Sequence, residues 1–315
     1  MQQRIKPGLV ALALVAALPA GAWAAGAVGG ADAPVWLWPL GLFVFCLGLG
    51  VVAVVAGLGG GILYVPLVSA FFPVHLDFVR GAGLFVGLSS ALGSGPELLR
   101  RDLASLRLAV PFALCSALGG VLGARGGLAA PRDVVETLLG VTVLAVAILM
   151  ARGGLRERCL EGGPVALALG MVGSYEDLSA GQQVAWEARH ARYGLPIAFV
   201  IGLLGGLFGV GGGWAVVPTF SLLMGVPLKV AAATSGLEIS LGNLGALTVY
   251  LRQGSILPSV VVPSVLGLMI GSALGARLLQ RANAPLVRRV MVVVLMAAGA
   301  RSLLVGALHW WGRAT

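Results

Sequence analysis

The chain has 315 residues, of which 58% are hydrophobic and only 10% are charged. Soluble domains carry about a quarter charged residues, so this composition excludes a soluble globular protein and predicts an all-α polytopic membrane protein. The formal net charge of +9 does not indicate a nucleic-acid partner, because the arginines lie mostly at the ends of apolar runs, where they set topology and meet lipid head groups.

Residues 1–30 have the features of a targeting segment. A basic start with Arg4 and Lys6 precedes an apolar stretch, and Ala22-Trp23-Ala24, with a small residue at each end, forms a possible cleavage site. We expect a signal peptide. An uncleaved N-terminal anchor is the alternative, although the apolar stretch is short for a span.

Residues 36–151 contain four apolar segments, which we predict to form a first transmembrane repeat. The first segment, 39–72, is longer than the ~20 residues that a straight span needs, and it contains the glycine-rich motif at 57–61. Glycine is a poor helix former, and a helix break within a bilayer is tolerated only where it is buried in protein or lines a wet cavity. The motif therefore predicts a broken helix at a solute site.

Residues 152–193 form the longest polar stretch and are predicted to be a linker. Ser179 followed by Gln182 resembles a capping box. This pattern predicts a short interfacial helix that ends near Tyr193.

Residues 195–308 repeat the pattern of the first half. A second glycine motif at 209–213 begins 152 residues after the first (209 − 57). The same offset aligns Val65-Pro66 with Val217-Pro218, and Gly123-Ala124-Arg125 with Gly275-Ala276-Arg277. We predict two homologous repeats, each with a broken helix, which either crosses the membrane or is re-entrant, followed by three transmembrane helices.

The topology of the repeats has two solutions. If each broken segment crosses the membrane once, each half has four spans and the halves are parallel. If the segment folds back, each half has three full spans and the halves are inverted. The distribution of lysine and arginine along the chain favours the inverted arrangement.

The predicted partner is a small anionic solute inside the bilayer, and such a solute requires hydrogen-bond donors. Backbone amides at the two breaks can supply them, helped by side chains of the segment that follows the second break. The predicted substrate-binding residues are Gly59, Gly60, Gly61, Gly211, Gly212, Gly213, Thr234, Ser235 and Asn243. The alternative for the two hydroxyls is ordinary back-bonding to a carbonyl of their own helix.

Three charged residues are further candidates. Glu238 lies in the middle of an apolar segment, where a carboxylate is costly unless it is paired, protonated or in a wet cavity. We predict that it carries a proton coupled to anion movement; the alternative is a structural carboxyl held by an arginine such as Arg80. Arg100 and Arg252 stand at corresponding positions of the two halves. They either pair with the anion or act as topological anchors.

The paired G-x-G-G-G…V-P motif, with Ala233-Thr234-Ser235 after its second copy and Arg252-Gln253-Gly254-Ser255-Ile256 further on, resembles the sulfite exporter TauE/SafE family, also called the toluene-sulfonate uptake permease family. The resemblance covers about residues 36–308. It implies a secondary transporter of the bacterial inner membrane, an exporter or permease for sulfite, sulfonates or sulfoacetate. Ala82-Gly83 stand where the second half has Thr234-Ser235, so we expect an asymmetric site.

Other functional classes have less support in the sequence. It contains no Walker-type nucleotide motif, its three histidines are isolated, and its three cysteines do not suggest a disulfide framework. We therefore predict no cofactor, no metal site and no catalytic residues. An anion channel and an intramembrane enzyme remain the alternatives, and the oligomeric state is open.

Overall fold

The computed structural model describes residues 37–56, 60–71, 74, 76–152, 164–177 and 182–314. The predicted signal peptide or anchor lies outside the described residues, as do Gly59 and parts of the linker.

The described part of the first half is a succession of a long helix, a short helix and three long helices. These are α1 (Leu37–Ala56), α2 (Gly61–Phe71), α3 (Leu76–Arg100), α4 (Leu106–Ala129) and α5 (Arg132–Arg152). The second half has the same succession of helices. Here α7 (Ala191–Phe208) is followed by α8 (Gly213–Pro218), a π-helical turn (Thr219–Leu223), α9 (Leu228–Arg252), α10 (Pro258–Arg281) and α11 (Ala284–Ala314).

Six helices among the described residues are long and apolar enough to cross a membrane, namely α1, α3, α4, α5, α7 and α10. A bilayer requires backbone groups to be satisfied within the chain, and helices meet that requirement without a neighbour. The prediction of an all-α polytopic membrane protein is therefore confirmed for the membrane part.

Helices of the two halves pack on each other through glycines. A side chain on Gly119 or Gly123 of α4 would collide with the carbonyls of Phe199 and Leu203 in α7. In the same way, Gly271 and Gly275 of α10 lie against the carbonyls of Leu47 and Val51 in α1. Gly271 and Gly275 stand 152 positions after Gly119 and Gly123, and Leu47 and Val51 stand 152 positions before Phe199 and Leu203. Small residues permit such close backbone approach in membranes, so the first helix of each half packs on a helix of the other half.

The second broken segment folds back along α7. The amide of Arg189, just before α7, donates a hydrogen bond to the carbonyl of Met224 at 2.9 Å. A methyl group on Gly212, just before α8, would lie 2.6 Å from the Ile201 side chain within α7. The chain thus runs down α7, turns at the glycines and returns beside it to the level where α7 begins.

The helix predicted from Ser179 to about Tyr193 does not form over residues 182–187, which are a strand, and Ser179 lies outside the described residues. The linker contains a short helix, α6 (Pro164–Ala168), and an antiparallel hairpin of β1 (Val172–Asp177) and β2 (Gln182–Glu187). Trp186 is buried and Val184 half-buried, whereas the alternate positions Gln183 and Ala185 are exposed. This period-two pattern is typical of a strand, and burial of Trp186 outweighs the weak local preference of a capping box.

Candidate functional site

The two glycine breaks are in direct contact in the core of the bundle. A side chain on Gly61, the first residue of α2, would collide with the carbonyl of Val210 in the second break and lie 3.1 Å from the carbonyl of Gly83 in α3. A side chain on Gly83 would in turn lie 3.1 Å from the carbonyl of Gly209. The breaks are far apart in sequence, yet only glycine fits where they meet.

The second break has a backbone that favours glycine. Gly209 and Gly211 have φ values of +69° and +73°, in the region that other residues rarely adopt. The Gly211 amide donates to the carbonyl of Gly205 at 3.2 Å, so it is used within the fold. Gly212 and Gly213 stand at the start of α8, where first-turn amides lack intrahelical acceptors. Of the predicted amide donors in this break, Gly212 and Gly213 are therefore better placed than Gly211.

Asn243 of α9 lies beside the second break. Its side chain is 5% exposed, and a methyl group on Gly211 would be 2.6 Å from its Nδ2 and Oδ1. The Nδ2 atom is buried and has no hydrogen-bond partner among the described residues. Buried donors are normally paired, so the structure presents an unused N–H group at the place that the sequence predicted.

A second unused donor was not predicted from the sequence. Trp214, in the first turn of α8, is 3% exposed, and its Nε1 has no partner among the described residues. Ile62 holds the corresponding place in the first half. The replacement of an isoleucine by a tryptophan between the two motifs is the sequence signal that could have identified Trp214.

Glu238 lies in the middle of α9 and is 1% exposed. Ser116 of α4 donates a hydrogen bond to its Oε1 at 2.6 Å, and its Oε2 has no partner among the described residues. Its described partner is therefore Ser116, and the alternative of a carboxylate held by Arg80 does not fit this geometry. Ser116 was not singled out in the sequence, since a serine within an apolar helix carries little signal.

The predicted hydroxyl ligands are both fully buried. Ser235 donates to the carbonyl of Ala232 at 2.8 Å, which is the back-bonding alternative. Thr234 Oγ1 accepts a hydrogen bond from the amide of Ser105 at 3.1 Å, at the start of α4. These bonds tie the two hydroxyls to helix backbone, and their contact with a solute stays a prediction.

Arg100 and Arg252 lie away from the breaks. Both are exposed at the last residue of a helix. At 1.5 Å per residue, Arg100 is about 25 Å along α3 from Gly83, and Arg252 about 14 Å along α9 from Asn243. Arg100 instead borders a cleft of about 230 Å³ between the α3–α4 loop and the β1–β2 hairpin. The structure does not bring these two arginines to the glycine site.

The surroundings of the two breaks differ in polarity. A methyl group on Gly60 of the first break would lie 3.1 Å from Leu268 and 3.4 Å from Val86. At the repeat offset of 152 positions, Leu268 is the counterpart of Ser116, and Val86 is the counterpart of Glu238. Asn243 has Ala91 as its counterpart at the same offset. The polar side chains therefore occur at only one of each pair of related positions, as expected for an asymmetric site.

Helices that cross a membrane, two glycine breaks in contact between them, and unused donors beside one break define a polytopic membrane protein with an internal polar site. The chain belongs to the sulfite exporter TauE/SafE family, whose model matches residues 40–302. It is a membrane transporter of that family.

Relatives of the chain carry transporter names. It is 28% identical over 274 residues to the probable membrane transporter protein YunE of Bacillus subtilis, which covers 84% of this chain and 97% of YunE. It is 29% identical over 269 residues to the probable membrane transporter protein ORF9 of a Sinorhizobium species, covering 83% and 91% of the two chains. A shorter match of 135 residues at 29% identity, covering 40% and 50%, is to the probable membrane transporter protein YfcA of Escherichia coli K12. No solved structure matches the chain significantly.

Proposed function

We propose that this protein is a secondary transporter of the bacterial inner membrane, an exporter or permease for small sulfur-containing anions such as sulfite, sulfonates or sulfoacetate. The observation that carries the proposal is the contact of Gly61 with the Val210 carbonyl, which joins the two glycine breaks inside the bundle. Asn243 of α9 and Trp214 of α8 each carry an N–H donor that has no partner among the described residues, and both side chains belong to segments at the second break.

The chemistry of the second break suits a negatively charged solute. Backbone amides at the start of a helix and side-chain N–H groups both donate hydrogen bonds, and sulfur oxyanions offer several acceptor oxygens. In a site that excludes water, such donors interact more strongly with an anion than they do in solution. Several N–H donors beside one break favour an anion over a cation.

The folded-back α7–α8 segment supports an alternating-access mechanism. If both broken segments are re-entrant hairpins, each half retains three full crossings, and an odd number of crossings inverts the second half relative to the first. The interlocked glycine contacts, displaced by 152 positions in both members, support two related halves. Rocking of related halves about a central site is how such folds change access from one side to the other.

Glu238 supports coupling to protons. A carboxyl group buried in a membrane bundle marks a solute or proton path by default, and here it has only a serine hydroxyl as its described partner. A proton taken up by Glu238 offsets part of the charge of the anion that moves with it. Ser116 holds the carboxyl by one oxygen and leaves Oε2 for the transferred proton.

Counterflow in proteoliposomes tests the proposal. The purified full-length protein is reconstituted with a high internal concentration of one solute, and entry of the labelled solute is followed. The panel contains sulfite, thiosulfate, sulfoacetate, an aryl sulfonate and a carboxylate. We expect counterflow of at least one sulfur-containing anion and faster accumulation in the presence of a pH gradient. Downhill flux without counterflow identifies a channel and rejects the carrier.

A further inference from the structure

We propose that Arg80 is the cationic ligand of the transported anion, and that Asp77 is the counter-ion that holds the Arg80 guanidinium when no anion is bound. This inference rests on the proposed function and deepens it. The charge at the site then comes from an arginine that differs from the two predicted from the sequence.

Arg80 lies on the face of α3 that touches both breaks. It is 4% exposed, and a methyl group on Gly209 would lie 2.5 Å from its Cβ and 2.7 Å from its Cγ. Gly83 is three residues further along α3 and therefore on the same helix face. Gly83 lies close to Gly209 of the second break and to Gly61 at the first break. The Cβ and Cγ atoms of Arg80 thus lie beside the second break, next to the place where the breaks meet, and its guanidinium extends to Asp77.

The second half has no cation at the position related to Arg80, although Lys229, the counterpart of Asp77, is buried one turn earlier in α9. The residue 152 positions further on, in α9, is Ala232, which is also buried. Burying a guanidinium is costly compared with burying a methyl group. An arginine retained at one of two related positions in a membrane bundle therefore indicates a solute that it binds.

The pairing of Arg80 with Asp77 suits an exchangeable counter-ion. The distance from Nη1 to Oδ1 is 3.5 Å, longer than the 2.7–2.9 Å of a strong charge-assisted hydrogen bond. The Asp77 side chain is 40% exposed, whereas that of Arg80 is 4% exposed. An exposed carboxylate is readily hydrated when it is released. Replacement of Asp77 by a solute oxyanion therefore exchanges one ion pair of Arg80 for another.

The guanidinium is also the right shape for the proposed substrate class. It is planar and has five N–H donors, so it can hold two oxygens of a sulfonate or sulfite group while it keeps its own contacts within the protein. A lysine at this position keeps the charge but loses that fork. Arg80→Lys therefore separates the contribution of geometry from that of charge.

Binding measurements on the full-length protein in detergent test this assignment. The probes are sodium sulfite and methanesulfonate, titrated by calorimetry, and the variants are Arg80→Lys, Arg80→Gln and Asp77→Asn. We expect both Arg80 variants to weaken binding by about 10- to 100-fold, the range of a hydrogen bond to a charged group. We expect Asp77→Asn to tighten binding, because it removes the competing carboxylate. Arg289→Gln, an exposed arginine of α11, is the matched control and keeps the wild-type affinity.

The outcomes separate this inference from the proposed function. Wild-type protein that binds and exchanges an anion, with Arg80→Lys and Asp77→Asn both within twofold of the wild-type affinity, overturns the assignment of Arg80 alone. Wild-type protein that neither binds nor exchanges any anion of the panel ends both proposals. If Arg80→Gln does not fold, as judged by its elution and thermal unfolding, Arg80→Lys and Asp77→Asn decide the matter.

Discussion

Ser240 of α9 lies against Leu88 of α3, the residue that stands 152 positions before it. Ser240 Oγ lies 2.9 Å from the carbonyl of Gly87 and 3.4 Å from the carbonyl of Leu88, and it also lies 2.8 Å from the carbonyl of Gly236 in its own helix. This separation equals the offset between the two glycine motifs. A residue that touches its own counterpart lies on the axis that relates two halves, so α3 and α9 cross at the centre of the proposed pseudo-symmetric arrangement.

Ser240→Ala is expected to destabilise the protein modestly and to leave anion affinity unchanged. The substitution removes a hydroxyl that contacts α3 as well as the Gly236 carbonyl of its own helix, and about 0.6–2 kcal/mol is typical for an interhelical hydrogen bond within membranes. Thermal unfolding of the purified protein checks the stability, and calorimetric titration with sulfite checks the affinity. The control is Thr248→Ala, whose hydroxyl is exposed and bonds within its own helix. Equal loss of stability in both variants would show that the α3–α9 bond contributes nothing specific.

Gly61→Ala is expected to abolish counterflow and lower stability. The added methyl group collides with the Val210 carbonyl, so the breaks must separate or the helices must shift, at a cost of about 1–3 kcal/mol. Proteoliposome counterflow and thermal unfolding measure the two effects. Gly126→Ala is the matched control, because a methyl group there meets no atom within 4 Å. Full transport by Gly61→Ala would contradict a function that depends on contact between the breaks.

Asn243→Ala is expected to weaken anion binding about tenfold, since it removes one donor to a charged group. Asn243→Asp is expected to prevent binding, because it replaces the donor with an acceptor and adds a negative charge. Titration with sulfite measures both variants. The control Asn283→Ala changes an exposed asparagine that precedes α11. Retention of wild-type affinity in Asn243→Asp would remove Asn243 from the site.

Glu238→Gln is expected to retain counterflow while losing acceleration by a pH gradient. Glutamine keeps the shape of the side chain and can still accept the Ser116 hydrogen bond, but it cannot exchange a proton. Uptake is measured with and without an imposed pH gradient at equal anion concentration. Ser116→Ala, which removes the partner of Oε1, is expected to alter the pH profile of uptake without abolishing it. Glu238→Gln that responds fully to the gradient would remove Glu238 from coupling.

Reporter fusions decide between the parallel and inverted arrangements. A reporter fused after Arg101 is expected to lie in the cytoplasm, and a reporter fused after Ala130 on the other side of the membrane, with α4 between them. The expectation follows from folded-back broken segments together with the positive-inside tendency. The reverse pattern of reporter activity would reject the inverted arrangement.

Much of the candidate site was predictable because its signals are local. Composition identified the bilayer as the solvent, the glycine clusters identified the breaks, apolar flanks made Glu238 conspicuous, and Asn243 followed from its place five residues further along the same segment. The hairpin of the linker was missed because the capping pattern at Ser179 is weak, and neither strand alone reveals that β2 pairs with β1 and places Trp186 against Gly173. Ser116 was missed because the sequence does not reveal that α4 packs on the second half.

The sequence by itself determined the class of protein, the positions of its helix breaks and the polar residues that a bilayer makes costly. Each of these follows from the chemistry of one residue and its near neighbours. Only the tertiary structure decided that Gly61 meets Val210, that Glu238 faces Ser116, and that Arg80 lies at the breaks while Arg100 and Arg252 lie at exposed helix ends. Those relationships depend on how interlocked helices cross, and contacts between distant segments are set by packing over the whole bundle.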